Sequence, residues 1–284
     1  MNRRKAEELF FRVLMFLSTT IILLVLCHII YSILAAGLPH LNWDMVSKVP
    51  EGGYYFGKGG GILNAIVGSL YVAVGATSLA FAIGLPLALF MNIHLTKWKK
   101  LVNGIRFLMD LLCGIPSIVY GAFGFTLMIF FGLRTSLLAG IITVTVFIVP
   151  IMIRAIDEVL MTIPRGLFES ALSLGSTKSE ISYRVFFKQS IAGIITAMLL
   201  SFGRAIGDAA SVLLTTGYTD YIPTSLNQPT ATLPLAIFFQ LSSPILEVRQ
   251  RAYASAVILI AIILFISLLA RILTYSYKKN KINY

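Results

Sequence analysis

Long runs of hydrophobic residues alternate with shorter polar stretches along the whole chain. Six such runs cover residues 13–36, 62–93, 107–131, 137–153, 191–214 and 252–270. Each run reaches or approaches the roughly 20 residues that an α-helix needs to cross about 30 Å of hydrocarbon. The pattern therefore predicts an all-α polytopic membrane protein with six transmembrane helices.

The composition supports a membrane protein. The sequence is 57% hydrophobic and 12% charged, with a mean hydropathy of +0.87, whereas soluble domains carry about 25% charged residues. The two cysteines, Cys27 and Cys113, lie inside apolar runs. This predicts core positions for both, and their spacing is not typical of a disulfide or a metal site. We expect no metal and no cofactor.

The net charge of +11 follows the predicted topology. Of the 23 Lys and Arg residues, seventeen lie at the two ends and in two alternate connecting segments, five lie in the other loops, and one, Arg204, lies within a span. Under the positive-inside rule both termini and the loop 154–189 are cytoplasmic. The basicity thus reflects topology and not a nucleic-acid partner. The seventeen are Arg3, Arg4, Lys5, Arg12, Lys97, Lys99, Lys100, Arg106, Arg154, Arg165, Lys178, Arg184, Lys188, Arg271, Lys278, Lys279 and Lys281.

A glycine-rich stretch, GGYYFGK at 52–58, matches the first part of a nucleotide-binding P-loop. Gly59 stands where that motif requires Ser or Thr, no strand precedes it, and the topology places it outside the cell. We interpret the stretch as a flexible loop that enters the second span.

The cytoplasmic loop 154–189 begins with the signals of a short helix. Pro164 suits a helix start, and Leu167, Ala171 and Leu174 recur at helical spacing as one apolar stripe. Small residues around this stripe would let a partner's backbone approach closely. The alternative is an amphipathic helix that rests on the membrane surface.

A turn and a second helix follow in the same loop. Gly175 fits the left-handed position that ends a helix. Thr177, with Glu180 three residues later, forms a capping-box pattern that begins the next helix. The loop therefore reads as helix, turn, helix.

Within this loop Glu169-Ser170-Ala171 is followed after three residues by Gly175 and after nine more by VFFK at 185–188. This pattern resembles the EAA loop of bacterial ABC importer permeases, which reads Glu-Ala-Ala, three residues, Gly, nine residues, Ile-x-Leu-Pro. Ser170 replaces the first Ala, and Lys188 replaces the Pro. In that family the loop contacts the ATPase, so the resemblance assigns ATPase coupling to Glu169, Ala171 and Gly175.

Four further segments extend the resemblance over nearly the whole chain, to the A-type permease subunit of phosphate ABC importers. They are NAIVGSL at 64–70, GIPSIVYG at 114–121, GRAIGDAA at 203–210 and ATLPLAIF at 231–238. The last of these is apolar enough to dip back into the helix bundle.

The resemblance implies a type I ABC importer permease of the bacterial inner membrane that moves inorganic phosphate by alternating access. Its expected partners are a C-type permease subunit, two copies of a cytoplasmic ATPase subunit and an extracytoplasmic phosphate-binding protein. The permease itself would not be an enzyme and would have no catalytic residues.

The chain then divides into three parts. Residues 1–61 form an N-terminal transmembrane helix and an extracytoplasmic loop, residues 62–276 form the permease core with its coupling loop at 154–189, and residues 277–284 form a basic cytoplasmic tail.

Arg204 and Asp208 are the only charged residues in the apolar run 191–214. Each costs about 2.5–3.5 kcal/mol at the centre of a span on insertion scales, so a compensating role is required. Their spacing of four places both on one helical face, where an ion pair can form. We expect Arg204 to line the substrate path and offer its planar fork to phosphate oxygens, with Asp208 holding the Arg in place and keeping binding weak. The alternative is that the two residues neutralise each other or pair with the C-type subunit. In the resembled family the second position is usually Glu.

Other function classes fit less well. A secondary transporter should show matching halves with interrupted helices, and we find no convincing internal repeat. An intramembrane protease needs two aspartates at mid-membrane, and Asp110 lies near Arg106 at the cytoplasmic mouth of its span. A permease for another oxyanion remains open.

The topology can be tested with single cysteines placed at Ser179 and Ser225 in a background without Cys27 and Cys113. In intact cells a membrane-impermeant thiol reagent should label position 225, which faces outward, but not position 179, which lies in the cytoplasm. In permeabilised cells both positions should react. Labelling at 179 but not at 225 in intact cells would contradict the predicted orientation.

Overall fold

The computed structural model describes residues 3–52 and 59–279, and describes side chains over 7–52 and 59–272. Residues 53–58 of the glycine-rich stretch and residues 280–284 of the basic tail lie outside this part. The described backbone is helical, and its one isolated β-bridge joins Pro50 to Gly60.

Eleven α-helices and two other helical segments are described. The α-helices are α1 (Arg3–Gly37), α2 (Trp43–Ser47), α3 (Leu63–Ile93), α4 (Lys99–Gly114), α5 (Ser117–Phe130), α6 (Leu137–Met161), α7 (Arg165–Ser173), α8 (Lys178–Glu180), α9 (Lys188–Gly207), α10 (Leu233–Leu241) and α11 (Leu246–Lys279). A 3₁₀ turn spans Leu38–His40, and a π-helix, Ile181–Phe187, joins α8 to α9 without interruption.

Five described helical stretches are long and apolar enough to cross a membrane, and a bent pair makes a sixth span if it is counted as one. The five are α1, α3, α6, the continuous run Lys178–Gly207, and α11. The all-α class expected from the sequence is confirmed for the described residues, and one of the six predicted spans is broken.

The broken span is the third apolar run, 107–131, which we predicted as a single helix. It folds as α4 and α5, which meet at an angle of 94°. Pro116 has no N–H to donate, and its ring disfavours helical geometry at the residue before it. Ile115 is accordingly extended, with φ −73° and ψ 130°. The run is therefore two helices, of which α4 is exposed over most of its surface.

The core of the bundle is the contact between α3 and α6. Four alanines of α3 have no exposed surface, and they let the two helices approach closely. Helix α1, in contrast, packs only along α11 and is otherwise exposed in the single chain. Cys27 is consequently exposed and Cys113 half-buried, so the predicted core position is wrong for Cys27. The four alanines are Ala73, Ala76, Ala80 and Ala88.

The segment between α9 and α10 is ordered by hydrogen bonds to the ends of the long helices. At the start of α6, the N–H groups of Ser136 and Leu137 donate to the carbonyls of Thr215 and Gln228, at 3.0 and 2.8 Å. These N–H groups have no partner within their own helix. The segment thus caps α6.

The segment NAIVGSL of α3 binds the same region from the other side. Asn64 Nδ2 donates to the carbonyl of Thr219 at 2.7 Å, and the hydroxyl of Ser69 accepts the N–H of Leu233 at 2.7 Å. Leu233 begins α10, whose side chains are largely buried, as expected for a segment that returns into the bundle.

Gly68 tests this packing, because a Cβ there would collide with the carbonyl oxygen of Ala231. We expect Gly68→Ala to destabilise the fold by about 1–3 kcal/mol through overpacking. Gly104→Ala is the matched control, since its Cβ would meet nothing within 4 Å and alanine favours a helix by about 1 kcal/mol over glycine. In detergent, the temperature of thermal unfolding should fall for Gly68→Ala and should stay the same or rise for Gly104→Ala. Equal stability of the two would disprove the close contact.

Candidate functional site

Arg204 lies in the last turn of α9, inside the apolar run. Its guanidinium carbon lies 5.4 Å from the ring centroid of Phe147, a cation–π arrangement. Among the described residues no carboxylate lies within ion-pair distance of it. The side chain is exposed in the single chain, so its charge is available to a ligand or a neighbouring subunit.

Asp208 does not share a helical face with Arg204, and the predicted ion pair is not formed. Helix α9 ends at Gly207, and Asp208 is extended, with φ −82° and ψ 122°. Its Oδ2 accepts the N–H of Ser211 at 2.8 Å, which starts a turn. Glycine is a poor helix former, and aspartate competes for nearby backbone N–H groups, so this Gly-Asp step ends the helix. The i,i+4 prediction was wrong because it assumed an unbroken helix.

Two interrupted helices meet around Phe147, which is buried on α6. Tyr120, in the first turns of α5, packs against Phe147 with ring centroids 5.6 Å apart, and its hydroxyl donates to the carbonyl of Leu112 at 2.9 Å across the bend. A Cβ at Gly121 would contact the backbone of Ser211, beyond the end of α9. The bend of the third span and the end of α9 therefore lie close to Arg204. Interrupted helices within a membrane mark binding sites in transporters.

Phe147 and Tyr120 were not identified from the sequence. The Pro116 signal was present within GIPSIVYG, but only the tertiary contact shows that the bend faces Arg204.

The cytoplasmic loop has the helix, turn, helix form that its sequence predicts. Helix α7 follows Pro164, and Gly175 adopts a φ of +80°, the left-handed conformation that favours glycine. The capping box is formed. The Thr177 hydroxyl accepts the N–H of Glu180 at 3.3 Å, and the Glu180 carboxylate accepts the N–H of Thr177 at 3.0 Å.

The three proposed coupling residues differ in exposure. Glu169 and Gly175 face outward, and a Cβ on Gly175 would meet nothing within 4 Å. Ala171 is only 8% exposed and packs into the core of its own chain. A larger residue at 171 would therefore disturb this chain before it met a partner. The sequence predicted Leu174 on the apolar stripe of this helix, but Leu174 is 86% exposed. The prediction was wrong because α7 ends one residue before it.

A second polar cluster lies at the cytoplasmic end of α6, centred on the fully buried Asp157. Its carboxylate binds Arg106 of α4, Arg154 of α6 and Asn92 of α3. Arg154 also binds Asp110, with Nε 2.6 Å from Oδ1.

The sequence reading placed Asp157 in a loop and missed this cluster. The spacing of Arg154 and Asp157 was a local signal for an ion pair, but the partners on α3 and α4 are long-range contacts. Asp110 is bound to Arg154 and Asp208 to the N–H of Ser211, so each aspartate has a partner other than a second carboxylate.

A cavity of about 580 Å³ opens beside this cluster, between α4 and α7. Its lining includes Lys99 and Arg106 on one side and Arg165 and Glu169 on the other. Within the described residues, no three His, Cys, Asp or Glu side chains lie close enough to hold a metal ion.

Comparison with known proteins places this arrangement in context. Residues 84–280 match the family model described as binding-protein-dependent transport system inner membrane component. The chain is 34% identical over 225 residues to the phosphate transport system permease protein PstA of Yersinia pestis, covering 78% of this chain and 75% of that protein. It is 29% identical over 272 residues to PstA of Pasteurella multocida, covering 95% of each.

Two solved structures share the fold. The inward-facing MetNI methionine ABC transporter aligns with a TM-score of 0.63 at 18% identity, over 76% of this chain and 95% of that chain. A bacterial alginate ABC transporter, in complex with a periplasmic protein bound to an alginate pentasaccharide, aligns with a TM-score of 0.63 at 17% identity, over 95% and 97%.

Proposed function

Because the chain belongs to the binding-protein-dependent transport system inner membrane components, and among them to the PstA-type phosphate permeases, we propose that it carries inorganic phosphate past Arg204. The observation that carries this proposal is a guanidinium with no carboxylate partner among the described residues, located where two membrane helices are interrupted.

Arg204 suits a tetrahedral oxyanion. Its guanidinium offers two parallel N–H donors to a pair of phosphate oxygens, and it stays charged at any physiological pH. The face of Phe147 orients this planar group without neutralising it. Helix α5 begins at Ser117, close to the Tyr120–Phe147 contact, so its positive N-terminal end adds to the favourable potential for an anion.

Asp208 has a different role from the one its spacing suggested. Its carboxylate fixes the turn that follows α9 by accepting the Ser211 N–H, and its negative charge lies four residues from Arg204. Repulsion between this carboxylate and the anion keeps binding weak enough for release. Another tetrahedral oxyanion would meet the same groups and remains the second candidate.

The proposed assembly pairs this subunit with a C-type permease subunit and two copies of a cytoplasmic ATPase, which hydrolyses ATP. An extracytoplasmic phosphate-binding protein delivers the anion to the outer face. The fold shared with the methionine and alginate ABC transporters supports such an assembly. Both termini and α7 lie on the cytoplasmic side in this arrangement.

Glu169 and Gly175 are the exposed coupling residues, so Gly175→Trp should weaken ATPase recruitment or uncouple hydrolysis from uptake. Overpacking a tight contact costs about 1–3 kcal/mol. Gly175→Ala is the control, since it places a side chain at the same positive φ, and so shares the backbone strain, but adds little bulk. Co-purification of the ATPase and the ratio of uptake to hydrolysis are the measurements. If Gly175→Trp assembled and transported normally, α7 would be a passive surface helix.

Ala171→Trp should act differently, because Ala171 is buried in its own chain. We expect this variant to reduce membrane abundance, while Gly175→Trp leaves abundance unchanged. Normal abundance of Ala171→Trp with loss of the ATPase would instead place Ala171 in the partner contact.

The substrate role of Arg204 can be tested with Arg204→Gln, Arg204→Lys and Asp208→Asn. We expect Arg204→Gln to lower uptake by about 10- to 100-fold, as loss of a charge-assisted hydrogen bond of roughly 1.5–3 kcal/mol implies. Arg204→Lys should restore only part of it, because Lys lacks the planar fork. Asp208→Asn should lower KM, because the carboxylate no longer repels the anion, and should lower the maximal rate, because release of the anion becomes slower.

Phosphate uptake and membrane abundance are measured together for all three variants. Lost abundance of Arg204→Gln would point to a structural ion-pair role in the assembled transporter. Normal uptake by the same variant would remove Arg204 from the substrate path.

A further inference from the structure

We propose that Asp157 and Arg106 form a clamp that carries motion of the coupling loop to the bend of the third span. They are positioning residues for transport and do not touch the substrate. The inference rests on the proposed function only in requiring that an ATPase acts on α7.

The clamp saturates a buried carboxylate. Asp157 has no exposed surface, and each of its oxygens accepts two hydrogen bonds. Oδ1 accepts from Asn92 Nδ2 at 2.7 Å and from an Arg106 Nη at 3.0 Å, while Oδ2 accepts from Arg106 Nε at 2.8 Å and from an Arg154 Nη at 3.0 Å. The bidentate contact with Arg106 fixes the orientation of α4 as well as its distance.

Stability alone does not account for such a group. A buried ion pair costs about as much in desolvation as it returns, and apolar residues of similar volume usually serve as well. Helix α4 has one buried side chain, Val102, which packs against Met91 and Ile153. The clamp therefore adds a defined geometry to a helix that is otherwise loosely attached.

One end of the clamp lies at the base of the coupling loop. Asp157 stands in the last two turns of α6, and only Thr162–Pro164 separate α6 from α7. The 580 Å³ cavity separates α4 from α7. Displacement of α7 can therefore reach α4 through α6 and the hydrogen bonds of Asp157.

The other end lies at the substrate path. From Arg106 to the last residue of α4, Gly114, a helix rises about 12 Å. There the carbonyl of Leu112 binds the Tyr120 hydroxyl, and Tyr120 packs on Phe147, which holds Arg204. A continuous chain of contacts thus connects the base of α7 to the guanidinium.

Arg106→Gln is the informative variant, since it removes the link to α4 but leaves Asp157 bound to Arg154 and Asn92. Glu158→Gln is the matched control. Glu158 is the neighbouring carboxylate, it approaches the same Arg154 at 3.5 Å, and its side chain is 64% exposed. Within the described part of the chain, Glu158 makes no ion pair or hydrogen bond to α3 or α4.

The experiment uses the assembled transporter in proteoliposomes with binding protein and ATP. We expect Arg106→Gln to keep normal abundance and ATP hydrolysis and to lower phosphate uptake per ATP by about fivefold or more, whereas Glu158→Gln stays within about twofold of the wild type. A structural role would lower abundance, hydrolysis and uptake together.

Cys113 gives a readout that does not depend on the cargo, because this half-buried thiol lies next to the bend. With Cys27→Ser in this subunit and cysteine-free partners, the rate of Cys113 labelling is compared between nucleotide-free and vanadate-trapped complexes. Trapping should change the rate in the wild type and in Glu158→Gln, but not in Arg106→Gln. If the wild type transported no phosphate while trapping still changed the labelling rate of Cys113, the proposal that phosphate is the substrate would be wrong. The clamp proposal would be unaffected.

An unchanged ratio of uptake to hydrolysis in Arg106→Gln, or an intact Cys113 response in that variant, overturns the proposal. If Arg106→Gln does not assemble, the pair Asp157→Asn with Arg106→Gln is decisive, because it removes both charges. Assembly of this double variant with uncoupled hydrolysis supports the clamp, and its failure to assemble shows a purely structural role.

Discussion

Backbone N–H and C=O groups inside a bilayer must find partners within the protein, and each group left unpaired costs several kcal/mol. This chain nevertheless interrupts two helices within apolar runs, at Ile115–Pro116 and after Gly207. The freed groups are bound locally: Tyr120 donates to the Leu112 carbonyl, and Asp208 accepts the Ser211 N–H. The same residues that meet this constraint lie close to Phe147 and Arg204, so the interruptions and the proposed substrate path coincide in the fold.

Asp157 and Arg204 differ in how many hydrogen bonds they make within the chain. Asp157 is enclosed and accepts four hydrogen bonds, which leaves no capacity for a ligand. Among the described residues, Arg204 has a cation–π contact with Phe147 and donates no hydrogen bond. A saturated group fixes geometry, while an unsaturated one retains binding energy for a substrate. The proposed division into a clamp and a substrate-path residue follows from this difference in the number of hydrogen bonds that each group makes.

Signals that fix one helix end were reliable in this sequence, and signals that assume an unbroken helix were not. The Thr177–Glu180 capping box and the left-handed Gly175 each depend on residues within one turn, and the structure reproduces them. Five of the six apolar runs are also found as long helices. The single span at 107–131 was predicted from apolar length alone, although Pro116 was a breaker signal within it. The Arg204–Asp208 pair assumed a helix that the Gly-Asp step ends. The partners of Asp157 on α4 and α3 lie 51 and 65 residues away in the chain, so no local pattern could show them.

Two mechanical routes lead from the coupling loop to the substrate path, and they act on different sides of one contact. In the proposed mechanism, one route is the π-helix Ile181–Phe187, where Phe186 packs edge-on against Phe168 of α7. This π-helix continues directly into α9, which carries Arg204. Through Asp157 and α4, motion reaches the bend and displaces Tyr120 and Phe147. Because cation–π attraction depends on the position of the cation over the ring, relative movement of the two routes changes how firmly Arg204 is held. A coupling loop that drives both therefore alters the affinity for the anion, and alternating access requires that affinity to differ between the outward and inward states.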